Sequence, residues 1–457
     1  MSSWPFAQPR RLDLMGIPPI RGARATSPFG LTSSELTYEV AVQCLYRELP
    51  MFQRDGPAAY KADLSATKRV CAALGRPEND LRFVHVAGTN GKGTVCHMVA
   101  AALQTQGHSV GLFTSPHLMD FRERIRVNGA CIDEEAVTAF VQRWQAAEGA
   151  WGSPSFFELT FGLALDHFRA AQCDVVVLET GMGGRLDSTN VIPRAEVCVV
   201  TNIGMDHQRF LGDNIRAIAK EKGGIFKDGV PVVLGPMRPE AQSELLSSAL
   251  RSSSEVHFAQ EIRHDETVVR PEGLEDVTSP VDEANRATAA MTLRVLQGVG
   301  WVFSDRAIEA GLWRHKECTG QQGRWQVVRR DNGATLVLDG AHNVDGVAMV
   351  AQKVGELVQD HGGQLHVVWG CVGDKPLEDV LALLPQDAQW HWCAADLPRS
   401  LSPQDLALVA LDHGLQGNVH PSVKDALDEA LDAALAQDVI WVGGSLFVVG
   451  EALQSLA

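Results

Sequence analysis

One stretch constrains the fold more than any other: Phe83 to Ala87 is apolar and β-rich, and it stops at Gly88-Thr89-Asn90-Gly91-Lys92-Gly93-Thr94. A helical pattern follows at once, with Val95, Met98, Val99 and Ala102 on one face. A loop between a buried strand and a helix N-terminus gathers unpaired backbone N–H groups and the positive end of the helix dipole, which together attract phosphate. The glycines let the backbone approach an anion, Lys92 adds a point charge, and the Thr94 hydroxyl suits Mg²⁺. Gly93 separates the lysine from the hydroxyl residue, where the usual phosphate-loop pattern has them adjacent. A plain glycine turn before a helix is the bland alternative.

Further strands end in the same way. Val110–Phe113 leads into Thr114-Ser115-Pro116-His117-Leu118, and Asp174–Glu179 into a glycine-rich loop, 180–190. A carboxylate at the end of a central strand near a phosphate loop is where a Mg²⁺ ligand is expected, although Glu179 could equally cap a helix or pair with a cation. Val197–Asn202 ends in a segment containing Asp206 and His207, and we read His207 as a site residue. Lys222 closes the helix 214–222, where a solvated lysine complementing the dipole is the ordinary reading. The segment 58–65, which includes Asp63, Leu64 and Ser65, reads as a substrate-facing edge or as a simple helix start. Residues 121–129 alternate apolar and charged side chains like an exposed strand or hairpin, with arginines either solvated or facing an anion.

Strands and helices alternate throughout, so the fold class is α/β: a doubly wound, mostly parallel sheet followed by a smaller Rossmann-like unit. The expected boundaries are 35–310 for the first domain, 311–323 for a linker and 324–457 for the second. Residues 236–283 are polar and weakly patterned. In the second unit, Thr335–Leu338 ends at Asp339-Gly340-Ala341-His342-Asn343, either a turn capped by Asn343 or a cluster facing the cleft. Residues 1–34 carry Arg10, Arg11, Arg21 and Arg24 against one acid, Asp13, and are read as a disordered extension or an early start, with a transit peptide as the alternative.

The formal charge of −16 argues against a general nucleic-acid binder, whose affinity rests on cationic side chains. Nine cysteines at least 22 positions apart, with no Cys-x-x-Cys, read as reduced thiols rather than a disulfide framework or zinc site. No apolar run approaches the roughly 18 residues of a membrane span, so the expected compartment is the cytoplasm.

Seven motifs in order resemble the folylpolyglutamate synthase/dihydrofolate synthase family, among the Mur-type amide ligases. They lie at 85–94, 114–118 with 123–129, 178–190, 206–207, 221–225, 338–343 and 444–451. The resemblance implies that Asn90, Gly91, Lys92, Gly93 and Thr94 cradle the ATP phosphates. Ser115 and Glu179 would hold a first Mg²⁺ and His207 a second. Lys222 matches the family's carbamylated lysine, which replaces the ordinary reading above. Asn285 would contact the adenine side, Arg324 and Asp339 would reach ATP from the second domain, and His342 would lie near the γ-phosphate. The pterin-benzoate substrate would sit against Asp63, Leu64, Ser65, Phe156, Phe157, Glu158, Leu186, Asp187 and Ser188. Gly223 where alanine is common, and Arg286 after an Asn285 that lacks the usual preceding His-Gln, depart from the family pattern.

The implied reaction couples L-glutamate to dihydropteroate, to the γ-carboxyl of folate polyglutamates, or to both, through an acyl phosphate, and the bifunctional form is favoured. Implied cofactors are ATP and two Mg²⁺ ions, with a monovalent cation as an optional third, in a monomer that needs neither nucleic acid nor membrane. The alternatives are polyglutamate extension alone, another Mur-type amino-acid ligase, or a phosphate-loop NTPase driving a conformational change in a partner.

Overall fold

The computed structural model describes residues 36–51, 63–147, 149–262, 280–373 and 377–456. The expectation for residues 1–34 falls outside them. The strands are β1 (Phe83–Ala87), β2 (Val110–Phe113), β3 (Ile125–Val127), β4 (Ala130–Cys131), β5 (Val175–Glu179), β6 (Val197–Val200), β7 (Val232–Leu234) and β8 (Val256–Phe258). They continue with β9 (Gln326–Arg329), β10 (Thr335–Leu338), β11 (Leu365–Trp369), β12 (Gln389–Trp392), β13 (Gly417–Val419) and β14 (Val439–Gly443). Among the described residues these form an eight-stranded sheet, β4-β3-β2-β5-β1-β6-β7-β8, and a six-stranded one, β13-β12-β11-β14-β10-β9.

From β2 to β8 every pairing in the first sheet is parallel, and β1 and β5 are buried along their whole length. Continuous Val/Ile/Leu runs are what a strand covered on both faces requires. Register then decides where the chemistry lies. Val86 pairs with Glu179, Ala87 with Val200 and Phe113 with Leu178, so β1, β2, β5 and β6 end at one level and their following loops share one edge. The second sheet is parallel apart from edge strand β9, and Leu338 aligns with Val442, which brings the loops after β10 and β14 together. Its strands β11, β12 and β14 contribute four buried tryptophans to the core, with Trp390 and Trp392 stacked at 4.7 Å and Trp369 edge-on to Trp441 at 5.0 Å. Strand alternation puts His391, between two of them, on the opposite face.

Three expectations need correction. The segment 121–129 is the expected hairpin only from Ile125, where β3 pairs antiparallel with β4; Phe121–Arg124 is a 3₁₀ turn with a capping box from Asp120 and Glu123, and Phe121, Arg124 and Ile125 are buried. Within 236–283, Pro239–Arg251 is a helix that buries Ala241, Leu245 and Ala249, and Val256–Phe258 is a strand. Its buried apolar stripe is built mainly of alanine, a small residue that marks a core face weakly by type.

The third correction moves the domain junction. Residues 311–319 are not a linker; they belong to the helix Asp305–Thr319, which packs against the helix Lys92–Thr105. Gly311 lies at the crossing, where an added Cβ would stand 2.7 Å from the Met98 carbonyl oxygen. The irregular connection is only 320–325. Replacing glycine by alanine in a helix gains about 1 kcal/mol, whereas overpacking costs about 1–3 kcal/mol. Gly311→Ala is therefore expected to destabilise by about 1 kcal/mol in denaturant unfolding. A stabilised variant would return residue 311 to a linker.

Candidate active site

The loop after β1 is held by its neighbours. Gly88 lies so close to β6 that an added Cβ would sit 1.9 Å from Thr201 Oγ1. Thr89 N–H donates to the Asn202 carbonyl (3.0 Å), Asn90 N–H to Asn202 Oδ1 (2.8 Å), and Thr201 Oγ1 to the Asn90 carbonyl (2.6 Å). The helix Lys92–Thr105 then begins from Gly91, at φ +81°, with no side-chain cap. Its first N–H groups are left for an anion. Lys92 Nζ donates to the Thr89 carbonyl at 3.1 Å, Asn285 packs against Gly91, and Gln321 Nε2 donates to Thr94 Oγ1 at 3.1 Å.

Glu179, at the end of β5, accepts the Ser115 N–H on Oε2 at 3.0 Å. Burial raises its carboxyl above the usual range, while Lys92, the Ser115 N–H, Arg324 and Arg124 pull it down. A buried acid beside a hydroxyl residue fits a hard divalent cation. The imidazole of His207 fits one less well. His207 sits in the left-handed region at φ 51°, its N–H donating to Asp206 Oδ1 at 2.8 Å and its side chain 30% exposed. Lys222 is not on the cleft wall. It lies beneath the phosphate loop, 4% exposed, with Nζ donating to the Gly88 carbonyl at 2.7 Å. Burial first, then neighbouring Lys92, hold its amine down to about 7.

On the opposite wall, Phe156 and Phe157 open the helix Phe156–Ala170, whose first turn is closed by a capping box: Ser155 N–H to Glu158 Oε2 (2.6 Å) and Glu158 N–H to Ser155 Oγ (3.3 Å). Asp187 folds its own loop, accepting from Met182 N–H (2.8 Å) and Thr189 N–H (3.0 Å). Asp63 reaches the cleft with Leu186 and Ser188. Leu64 and Ser65 do not: they begin the helix Ser65–Ala73, with Ser65 N–H bonded to Asp63 Oδ1 at 2.7 Å. Residues 58–62 of that edge lie outside the described residues.

Of the three arginines left open above, Arg124 faces the cleft. It is 2% exposed, its Nε donates to His117 Nδ1 at 2.7 Å, and its guanidinium lies 5.2 Å over Phe156. Arginine only donates, so the hydrogen of His117 is on Nε2, which donates to the Tyr46 oxygen at 2.9 Å. Arg124 Nη2 is buried and has no hydrogen-bond partner among the described residues. Arg122 instead pairs with Asp120 and Glu134, and Arg126 donates to the Gly129 carbonyl.

The second lobe closes the cleft. Asp339 accepts from Trp325 N–H (2.7 Å) and Ala341 N–H (2.8 Å); burial raises its carboxyl and Arg324 opposes the rise. His342 Nδ1–H donates to the Gly340 carbonyl at 2.9 Å. Asn343 fills both roles the sequence left open: its Oδ1 caps the helix Val344–His361 at Gly346 N–H (2.9 Å), and its amide pairs reciprocally with Asn90 at 2.9 and 3.2 Å. The cleft between the lobes is about 360 Å³ and includes every expected site residue except Leu64, Ser65 and Lys222. Sequence reasoning missed Arg399 and Phe447, and gave Ser445 no role beyond its place at a strand end. The loop after β14 signalled Ser445, but nothing local marks Arg399.

Known proteins share this arrangement. Residues 86–234 match the Mur ligase middle domain and residues 323–446 the Mur ligase glutamate ligase domain. A probable bifunctional folylpolyglutamate synthase/dihydropteroate synthase of Haloferax volcanii is 35% identical over 91% of this chain, which spans 50% of that protein's length. The dihydrofolate synthase/folylpolyglutamate synthase of Bacillus subtilis is 34% identical, covering 76% of this chain and 84% of its own. Escherichia coli FolC in complex with DHPP and ADP superposes with a TM-score of 0.77 at 29% identity, over 93% of this chain and 99% of that one. A Yersinia pestis bifunctional enzyme complexed with AMPPNP and Mn ion gives a TM-score of 0.76 at 28% identity, over 93% and 99% of the two chains.

Asn343→Ala removes a helix cap, about 1 kcal/mol, and leaves the Asn90 amide without its partner, about 1–3 kcal/mol. It is expected to lower unfolding stability by about 2 kcal/mol in urea. Asn343→Asp keeps the capping oxygen and is expected to lose less than half as much. Equal losses would show that the cap contributes nothing.

Proposed function

The chain belongs to the dihydrofolate synthase/folylpolyglutamate synthase family, and on that footing we propose that it is an ATP-dependent ligase joining L-glutamate to dihydropteroate and to the γ-carboxyl of folate polyglutamates. The observation that carries this reading is the convergence in one cleft of an uncapped, glycine-lined helix N-terminus, a buried strand-end carboxylate and a second lobe that reaches the same space.

A carboxylate does not condense with an amine at neutral pH because its leaving group is too poor. Transfer of the γ-phosphoryl group of ATP to the substrate carboxylate supplies a better one, and the α-amino group of glutamate then attacks the acyl carbon as phosphate departs. In this proposal residues 90–94 hold the phosphates, with Lys92 neutralising charge that builds on the phosphoryl oxygens. Ser115 and Glu179 hold a first Mg²⁺, and His207, with a carbamylated Lys222, holds a second. Bound Mg²⁺ supplies further charge neutralisation on the transferring group. Asn285 lies on the adenine side, Arg324 and Asp339 act on ATP from the second lobe, and His342 stands beside the γ-phosphate.

Arg124, oriented by His117 and Tyr46, offers its buried Nη2 to the substrate's anionic group. The acceptor lies between Asp63, the Phe156–Glu158 turn and the Leu186–Ser188 loop. Asp63 on the cleft wall favours dihydropteroate as one acceptor. Closure of the lobes keeps water from the acyl phosphate. We place the enzyme in the cytoplasm as a monomer, with a monovalent cation as an optional third ion; among the described residues no helix is long and apolar enough to cross a membrane.

The purified chain is expected to release ADP in proportion to glutamate coupled, with dihydropteroate and with tetrahydrofolate assayed side by side. Lys92→Ala should lower both rates by at least about 10³-fold, the scale of losing a main transition-state charge contact. ADP release indifferent to glutamate and to both acceptors would end the ligase reading.

The amine of Lys222, held at about 7 by burial, is substantially neutral at physiological pH. Only the neutral amine adds CO₂, forming an N–C bond and releasing a proton, so an anionic carbamate becomes accessible. At a fixed concentration of dissolved CO₂, reactivation after CO₂ removal should therefore be faster above pH 7 than below. Lys222→Ala should be inactive and partly restored by a short-chain carboxylate. Full activity of that variant without the additive would exclude the carbamate.

A further inference from the structure

The second lobe carries a polar cluster away from the cleft. On the face of its sheet opposite the tryptophans, His366 of β11 and His391 of β12 stack at 5.9 Å with their planes 18° apart, and His420, just after β13, continues the row at 5.4 Å from His391. The helix Val423–Ala433 covers this face and brings Glu429 to the row. His366 is matched by Asp438, Nε2 to Oδ2 at 3.6 Å. His391 and His420 have no such individual partner and share one carboxylate.

We infer that His391, His420 and Glu429 form a binding site for one divalent transition-metal ion of the zinc class, clipping the sheet edge β12-β13 to the helix Val423–Ala433. His391 Nδ1 lies 3.4 Å from His420 Nε2 and 3.8 Å from Glu429 Oε1, and His420 Nδ1 lies 3.7 Å from Glu429 Oε2. One ligand atom from each residue can be chosen so that all lie within 4.8 Å of one another. Zinc held at about 2.0–2.2 Å by nitrogen and oxygen in a tetrahedron spaces its ligands about 3.3 Å apart. The imidazole pair, His391 Nδ1 and His420 Nε2, already has that spacing, and the Glu429 carboxylate, within 4.8 Å of both, has to swing in on its half-exposed side chain.

The donor types also select the ion. Two imidazoles and one carboxylate suit zinc and its neighbours, not the all-oxygen shells of Mg²⁺ or Ca²⁺. Both histidines are buried, and His391 Nε2 has no hydrogen-bond partner, so that ring's polar contacts are those of the cluster. Glu429, 46% exposed, gives an entry path and a coordination position open to water, and Asn418 Nδ2 steadies its carboxylate at 2.6 Å. The clip has a mechanical use, because β13 is a three-residue exposed edge strand. None of these residues lines the cleft, so the proposal stands apart from the ligase reading.

The test uses the full chain, stripped with chelator and free of nucleotide, titrated with Zn²⁺ by calorimetry and with Co²⁺ by its visible absorption. Glu179→Gln serves as the background that weakens metal binding at the cleft. The expected result is one equivalent of Zn²⁺ bound in both backgrounds, intense four-coordinate Co²⁺ bands, and a melting temperature that rises with Zn²⁺. His420→Gln should weaken binding by about 100-fold or more, beyond the 10–100-fold typical of losing a residue that merely supports a ligand. Glu429→Gln, on the half-exposed helix face, keeps the fold and should also weaken it. Zinc affinity unchanged in both variants, binding abolished by Glu179→Gln alone, or no binding at micromolar Zn²⁺ would each overturn the proposal.

Discussion

The architecture depends on a helix that starts without a cap. The N-terminus of Lys92–Thr105 would be satisfied in most proteins by a serine, threonine or aspartate, at a gain of about 1 kcal/mol. Here Gly91 occupies that place, and the loop is instead shaped from outside by Thr201 and Asn202 at the end of the neighbouring strand and by Asn285 against Gly91. A ready anion site is the result, and its position follows from the common level at which β1, β2, β5 and β6 end.

The acids around the cleft divide by what they already hold. Glu158, Asp187 and Asp339 accept backbone N–H groups of their own or adjoining loops, so their charge is committed to shaping the walls. Glu179 takes the Ser115 N–H on one oxygen and lies buried among Lys92, Arg324 and Arg124. Cationic groups gathered at this one place let a chain of net charge −16 present a pocket for phosphates.

Much of this was legible in the sequence. Buried strands announced themselves as apolar runs ended by glycine, and the phosphate loop, Ser115, Glu179 and His207 could be placed because each follows such a run. What was not legible depends on packing between distant segments. Lys222 looks like a solvated helix-end lysine, and only the loop folded over it makes it a buried amine. Arg122, Arg124 and Arg126 are indistinguishable by type; a 3₁₀ turn, where a strand was expected, selects Arg124. The helix Pro239–Arg251 hid behind small apolar residues, and Leu64 and Ser65 were drawn into the site by proximity to Asp63 although their backbone begins a helix. Arg399 has no local signature, because its approach to the cleft is a property of the assembled lobes.

The short connection between the lobes has a mechanical consequence. Because the helix Asp305–Thr319 is packed along Lys92–Thr105, the tether of the second lobe is anchored on the very element that begins at Lys92 and the uncapped turn. Gly320 and Gly323, both at positive φ, lie within this six-residue connection, 320–325, and Gln321 between them bonds Thr94. Any displacement of the second lobe would therefore reach the N-terminus of Lys92–Thr105 through one hydrogen bond and one packed helix pair, with no intervening element.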